Sequence, residues 1–97
     1  MAKVKMINGT TETGFEFSVD PVSLEDFYLL EAFGRAQHGD VSALSTLLSL
    51  MLGDEQKTAL LRHCEDEKGR AALSRVGDEI ADIYRAVTAE NKKAKNS

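Results

Sequence analysis

The stretch VSALSTLLSLMLG, residues 41–53, carries no charged side chain and is the most continuously apolar run of the chain. Its apolar side chains include Leu44, Leu47, Leu48, Leu50, Met51 and Leu52. The serines and the threonine fall on one narrow stripe at helical spacing, and a helix that is apolar over most of its circumference is usually buried. Asp40 can cap its start, and Gly53 can end it in a left-handed turn. The stretch therefore predicts a central core helix, with a partner-binding helix as the alternative.

Length and composition describe one small acidic domain. The chain has 97 residues and a formal net charge of −4, and a domain of this size buries only about 60 to 65% of its unfolded surface, so self-association or a partner would add stability. The acidic balance argues against nonspecific nucleic-acid binding. The single cysteine, Cys64, excludes an internal disulfide and suits a reducing compartment. No apolar run approaches the ~20 residues of a membrane span, so no membrane contact is expected.

Two N-terminal segments alternate apolar and polar residues and predict a short β-hairpin. They are residues 2–7 and 14–19, and Asn8-Gly9 between them offers turn chemistry, although the sequence leaves the register open. An isolated hairpin is marginal in water. The face with Phe15 and Phe17 is therefore expected to lie on the helices, unless it is kept free for another molecule.

A first helix is predicted from about residue 20 to Gln37, with Asp20 or Ser23 as its cap. Its core stripe at positions i, i+3, i+4 and i+7 is Leu29, Ala32, Phe33 and Ala36. Phe27 and Leu30 lie off that stripe and, with Leu24 and Tyr28, widen the apolar arc. A second packing neighbour is the favoured explanation, and a surface presented to a partner is the alternative.

Two further helices are predicted after Gly53. Asp54 caps the first, in which Leu60, Leu61 and Cys64 face inward, and the charged run 65–69 reads as a solvated connector. The last helix, residues 71–91, has heptad spacing that favours packing inside the chain over a dimer seam. That spacing joins Leu73, Val76, Ile80, Ile83 and Val87. The opposite, solvated face is assigned Arg75, Asp78, Glu79, Asp82 and Arg85. Close approach of a second helix would explain Gly77.

The predicted fold class is thus mostly α: a compact bundle of about four helices with a short N-terminal β-hairpin. Residues 1–20 form the hairpin segment, residues 21–92 the helical domain and residues 93–97 a frayed tail, all within one domain. No catalytic, metal-binding or cofactor-binding residues are expected. His63 and Cys64 are sequence neighbours that point about 100 degrees apart on a helix, and three or four ligands would be needed to hold a metal.

Several segments resemble the small tail assembly chaperones of phages with long noncontractile tails. They are LEDFYLLEA at 24–32, the segment 39–56 that ends in LGDEQ, DEKGR at 66–70, EIADI at 79–83 and KNS at 95–97. The likeness spans roughly residues 15–97. It implies a nonenzymatic protein of the host bacterial cytoplasm that binds the tape-measure protein, helps recruit tail tube subunits and is absent from the mature virion. In that family a longer form often arises by translational frameshifting near the end of the gene.

The resemblance supplies no binding residues, so partner contacts are predicted from the apolar surplus. The candidates are Phe27, Leu30, Ile80, Ile83 and Val87. Two other functions stay open. A small helical DNA-binding regulator would carry basic and amide side chains on a recognition helix, and the helix after Gly53 has few of them. An enzyme subunit or antitoxin-like inhibitor has no sequence feature in its favour.

Overall fold

The N-terminal segment forms a two-stranded antiparallel sheet of β1 (Ile7–Thr10) and β2 (Glu16–Val19). The structure, a computed structural model, describes the backbone of residues 5–96 and the side chains of residues 5–92. Ile7 pairs with Val19, and Gly9 pairs with Phe17. A hairpin is therefore present, and its first strand is described from Ile7, with residues 5 and 6 of the predicted strand outside it. Residues 2–4 of the predicted strand lie outside the described residues.

The predicted turn at Asn8-Gly9 is wrong, because both residues lie inside β1. Gly9 serves close packing there: a Cβ at this position would lie 2.7 Å from Cζ of Phe17, whose ring covers the strand. The chain reverses instead after Thr11, where the Gly14 N–H donates to the Thr11 carbonyl at 2.9 Å. Gly14 has a φ of 99°, a conformation that glycine adopts at little cost.

The predicted first helix is divided in two. A 3-10 helix, Pro21–Glu25, is capped by the Asp20 side chain, and α1 (Phe27–Gln37) begins one residue after Asp26. Asp26 is extended, and its Oδ1 accepts the Tyr28 N–H at 3.0 Å. Each aspartate thus caps its own helical segment, so two short segments form in place of one helix.

The central helix forms as predicted within α2 (Val41–His63), and its first half is buried through Ala43, Leu47, Leu48, Met51 and Leu52. Gly53, with φ 80° and ψ 162°, breaks α2 into two helical segments. A helix thus ends at Gly53 and another follows it, as predicted, and the described residues are roughly consistent with the expected bundle of about four helices. At the kink, the Leu52 carbonyl accepts a hydrogen bond from Nε2 of the Gln56 side chain at 2.8 Å. The same carboxamide bonds the backbone of Ser18 on β2.

The last helix, α3 (Leu73–Asn96), extends past Asn91. Residues 93–96 of the predicted frayed tail are therefore helical, and its last residue, Ser97, lies outside the described residues. An exposed turn precedes it, in which Asp66 Oδ1 accepts the N–H groups of Lys68 and Arg70. These bonds hold the pKa of Asp66 below its usual range, chiefly through the Arg70 backbone N–H. The charged connector is thus exposed, as predicted, and locally ordered.

One core unites the hairpin and the three helices. Its side chains include Phe15, Phe17, Val19, Leu29, Leu48, Leu60, Val76, Ile83 and Val87. The hairpin therefore lies on the helices through its phenylalanine face, as expected. The heptad positions of α3 also pack inside the chain, which confirms the intramolecular interpretation, although Leu73 is exposed. The explanation offered for Gly77 is wrong, because a Cβ there would meet nothing within 4 Å.

Candidate partner-binding surface

The predicted contact residues lie in two different environments. Phe27 is 70% exposed and Leu30 is 47% exposed, whereas Ile80, Ile83 and Val87 are buried in the core. Ile83 and Val87 are fully buried against the chain itself, whereas Ile80, at 6% exposure, also lines an open apolar groove. A contact surface on this structure can therefore include Phe27, Leu30 and the edge of Ile80, but not Ile83 or Val87.

The first turn of α1, directly after the break at Asp26, exposes two aromatic side chains, although Leu29 in the same turn is buried in the core. Phe27 and Tyr28, which is 69% exposed, follow the capping residue directly, and their rings meet edge to face with centroids 6.2 Å apart. Leu24, in the preceding 3-10 helix, packs against the core instead. Of the additional apolar side chains predicted on the first helix, only Leu24 is packed against other residues. Phe27, Tyr28 and Leu30 remain exposed.

Acidic groups border this aromatic pair. On a helix, Glu31 follows Phe27 by four residues and Tyr28 by three, so it lies one turn along and between them. Its Oε1 is 3.5 Å from Nη1 of Arg35, which also lies 3.6 Å from Asp40 through Nε. Both ion pairs are about half exposed and are screened by water, so Glu31 remains able to interact with a further cation.

An apolar groove of about 300 Å³ lies beside the same helix, between α1, the first half of α2 and α3. Its walls include Phe33 and Tyr84, whose rings are 5.8 Å apart and tilted by 61°. Gly77 lines one side of the groove, and because it has no side chain, the space next to it stays open. Phe33 follows Leu30 by three residues, so the exposed face of α1 continues into this groove. We call Phe27, Leu30 and this groove the apolar face; Tyr28 points about 160° away from Leu30 and lies outside it.

A second cluster was not anticipated from the sequence. Glu79, predicted to be solvated, is only 4% exposed, and its Oε1 and Oε2 accept the hydroxyls of Thr11 and Thr13, each at 2.8 Å. The Thr13 hydroxyl has one hydrogen and gives it to Glu79, so His63 Nε2, 2.8 Å from that oxygen, is the donor to it. The spacing in the sequence could have indicated that Glu79 is buried, because Glu79 follows Val76 by three residues and precedes Ile83 by four, and both of these residues are in the core.

This cluster is built to hold the hairpin turn on α3. Both carboxylate oxygens of Glu79 are already bonded to hydroxyls of the turn. The adjacent Cys64 is buried, as predicted, and burial, followed by the nearby charge of Glu79, raises the pKa of its thiol. A raised thiol pKa lowers the thiolate fraction on which nucleophilic chemistry depends. The arrangement is therefore suited to structural support and poorly suited to catalysis by Cys64.

Basic groups are sparse on the helical segment that follows Gly53. Lys57 Nζ donates to Ser45 Oγ at 2.6 Å and to Ser49 Oγ at 3.3 Å, so it is directed toward the preceding segment of α2. Arg62 is exposed beside His63. Within residues 5–96, no group of three or more His, Cys, Asp or Glu residues is placed to hold a metal ion. No helix in this described part of the chain is long and apolar enough to cross a membrane.

Comparison with known proteins adds no relative to these observations. No family model matches the chain, and neither a curated protein nor a solved structure shows significant similarity to it.

Proposed function

We propose that this chain is a nonenzymatic tail assembly chaperone of a phage with a long noncontractile tail. In this proposal it binds the tape-measure protein and helps recruit tail tube subunits in the host bacterial cytoplasm, and it is absent from the mature virion. The resemblance of residues 15–97 to such chaperones suggests the class. The observation that carries the proposal is the apolar face, where Phe27 and Leu30 are exposed and Leu30 lies one turn before Phe33, a wall of the open groove.

An exposed apolar face of this kind suits a chaperone on physical grounds. Large apolar side chains exposed together on a small protein usually mark an interaction site. A long helical client would otherwise aggregate through its own apolar stripe, and covering that stripe removes the cause of aggregation. The net charge of −4 keeps such a complex soluble, because like-charged particles resist association.

Coexpression with the tape-measure protein encoded in the same genome tests this proposal. The amount of soluble tape-measure protein is compared with and without the chain, and the chain is then tested for copurification. Leu30→Asp is expected to abolish most of the gain because it places a charge in the apolar face. Met6→Asp is the matched control, since Met6 is 44% exposed but lies on the hairpin segment and outside that face.

Several results would contradict the proposal. One is an unchanged amount of soluble tape-measure protein, both with this chain and with any longer frameshift product of its gene. Another is equal loss for Leu30→Asp and Met6→Asp, which would remove the apolar face from the explanation. Retention on DNA that weakens with added salt would favour a DNA-binding regulator instead.

A further inference from the structure

The groove between the three helices has a single charged side chain in its lining, and that side chain is the cation Arg85. Gln37 and Tyr84, the two other polar side chains of the lining, carry no formal charge. No carboxylate lines the groove, although the chain has 16 acidic residues against 12 Lys and Arg. The groove therefore differs in charge from the acidic chain around it.

Arg85 is available to a partner. It is exposed, and it belongs to none of the three ion pairs formed among the described side chains. The carboxylate three residues before it, that of Asp82, already accepts the Glu12 N–H through Oδ2 at 2.8 Å. A guanidinium has only donors, and the group that matches its geometry best is a carboxylate. Arg85 can therefore pair with a carboxylate that another molecule brings to the groove.

Small residues leave room in the groove for large side chains of a partner. Gly77 and Ala81 on α3 and Ala36 on α1 line it, and a Cβ at Gly77 would meet nothing within 4 Å. Leu47, which is buried, and Leu44, which is partly buried, add apolar surface from α2. A large apolar side chain that enters here is removed from water on several sides, which favours its binding.

The dimensions of the groove favour a helical segment as its occupant. Its α3 lining runs from Gly77 to Arg85, about 12 Å or two helical turns at 1.5 Å per residue. An amphipathic helix of that length presents apolar side chains at i, i+3, i+4 and i+7 to such a groove. At 100° per residue, Leu30 points only about 20° away from Gln37, so Leu30 can contact the same helix. Polar side chains that border the apolar stripe then lie at the edges of the groove, where Arg85 is exposed.

We propose that the groove binds an amphipathic helix of a partner with an Asp or Glu bordering its apolar stripe, and that this carboxylate pairs with Arg85. The apolar stripe lies between α1 and α3, over Leu44 and Leu47. This inference rests on the proposed function, because it names the chemistry of the client segment. The preferred charge is opposite to the one that the whole chain favours, since a net charge of −4 attracts cationic partners.

Three designed peptides of about 16 residues provide the test. They share one leucine stripe and have Glu, Gln or Lys at one position on each side of it. Their affinity for the intact protein is measured by fluorescence anisotropy at about 0.15 M salt, where long-range charge effects are screened. The Glu peptide is expected to bind about two- to fivefold more tightly than the Gln peptide, as for a single exposed ion pair, and the Lys peptide most weakly. Equal binding, a preference for the Lys peptide, or binding of no peptide overturns the inference.

Two variants separate Arg85 from the charge of the chain as a whole. Arg85→Gln is expected to abolish the preference for the Glu peptide over the Gln peptide and to leave the affinity for the Gln peptide unchanged. Arg62→Gln removes an equal charge from an exposed site on α2 outside the lining and is expected to keep the preference. The cycle of two peptides and two proteins isolates the coupling between Arg85 and the peptide carboxylate. A preference that survives in Arg85→Gln overturns the assignment to this residue.

A variant that fills the groove tests its location. Gly77→Leu is expected to weaken all three peptides at least about tenfold, because the new side chain occupies the space of one partner leucine. Its circular dichroism should match that of the parent protein, since the space at Gly77 is open. Ala59→Leu, at an exposed site on α2, is the matched control and should bind like the parent. Unchanged binding by a folded Gly77→Leu variant overturns the site.

The two proposals can fail separately. Tape-measure protein that is solubilised by a chain with no preference for the Glu peptide would leave the proposed function standing and overturn this inference. A preference for the Glu peptide without any solubilisation would keep the groove as a helix site and count against the proposed function. Sedimentation of the protein alone covers the remaining occupant: a dimer that Gly77→Leu dissociates would assign the groove to a second copy and overturn the inference, whereas a monomer supports it.

Discussion

The carboxamide of Gln56 pairs with both backbone polar atoms of Ser18. The Ser18 N–H donates to Oε1 at 2.7 Å, and Nε2 donates to the Ser18 carbonyl at 2.8 Å. Ser18 lies in β2, which has β1 on only one side, so Gln56 satisfies backbone groups on the other side. One side chain of α2 thus replaces a neighbouring strand and ties the hairpin to the helices.

Gln56→Ala is therefore expected to lower the free energy of unfolding by about 1–3 kcal/mol, because the partly buried backbone groups of Ser18 lose their partners. Gln56→Glu is expected to cost at least as much, since a carboxylate cannot donate to the carbonyls of Ser18 and Leu52. Urea unfolding followed by circular dichroism measures both. Thr58→Ala, at an exposed site on the same segment, is the control, and an equal effect there would contradict the assigned role.

Glu79→Ala is expected to lower the free energy of unfolding by about 2–4 kcal/mol. The change removes the acceptor of two threonine hydroxyls, and hydrogen bonds to a charged group contribute more than neutral ones. Asp78→Ala, at the exposed neighbouring position, is expected to stay within about 0.5 kcal/mol. Thermal unfolding of the two variants checks the difference, and similar melting temperatures would show that the buried carboxylate does not hold the turn.

Two glycines are expected to respond in opposite directions to alanine. Gly77→Ala should raise the free energy of unfolding by about 0.5–1 kcal/mol, because Gly77 is inside α3 and a Cβ there meets nothing. Gly53→Ala should lower it by about 1–3 kcal/mol, because φ 80° with ψ 162° is a backbone conformation that alanine rarely adopts. Denaturant midpoints measure both. A destabilised Gly77→Ala would indicate a close neighbour at that helix surface.

Leu48→Asp and Leu30→Asp form a matched pair with the same chemical change. Leu48 is 2% exposed, so burying an aspartate there is expected to unfold a domain whose total stability is about 5–15 kcal/mol. Leu30 is exposed, and its replacement should leave helicity intact and the free energy of unfolding within about 1 kcal/mol. Circular dichroism separates the outcomes, and a folded Leu48→Asp variant would mean that the central helix is not the core.

Asp66 is expected to make the connector sensitive to acid. Its pKa is lower in the folded chain than in the unfolded one, so its stabilising contribution is complete above about pH 4 and is lost as the pH falls through the lowered value. Asp66→Asn should therefore differ most from the parent protein at neutral pH and progressively less below about pH 4. Urea midpoints across this range test the trend. Asp54→Asn is the exposed control, and a difference for Asp66→Asn that does not change with pH would contradict it.

Local patterns in the sequence were sufficient to predict the helices, the hairpin and many of the core residues. The apolar run of residues 41–53 determined a buried helix because few of its faces can be hydrated, and Gly53 ends it with the positive φ that was predicted. Asp40 holds the N-cap position, but the predicted side-chain cap is wrong, since its carboxylate accepts the Ser42 hydroxyl and makes no cap hydrogen bond to the backbone. Alternation at Phe15 and Phe17 determined one apolar face of a hairpin, and α3 buries its heptad positions from Val76 to Val87. The exposure of Phe27 and Leu30 follows partly from their places off the core stripe.

Tertiary contacts decided what those patterns left open. The register of the hairpin depends on the Phe17 ring over Gly9, and the burial of Glu79 depends on hydroxyls from Thr11 and Thr13, more than sixty residues away in the sequence. Periodicity specifies which side chains share a face, but the element that covers that face is chosen by long-range packing. The sequence thus determined the faces of this protein, and only the fold decided which of them remain uncovered.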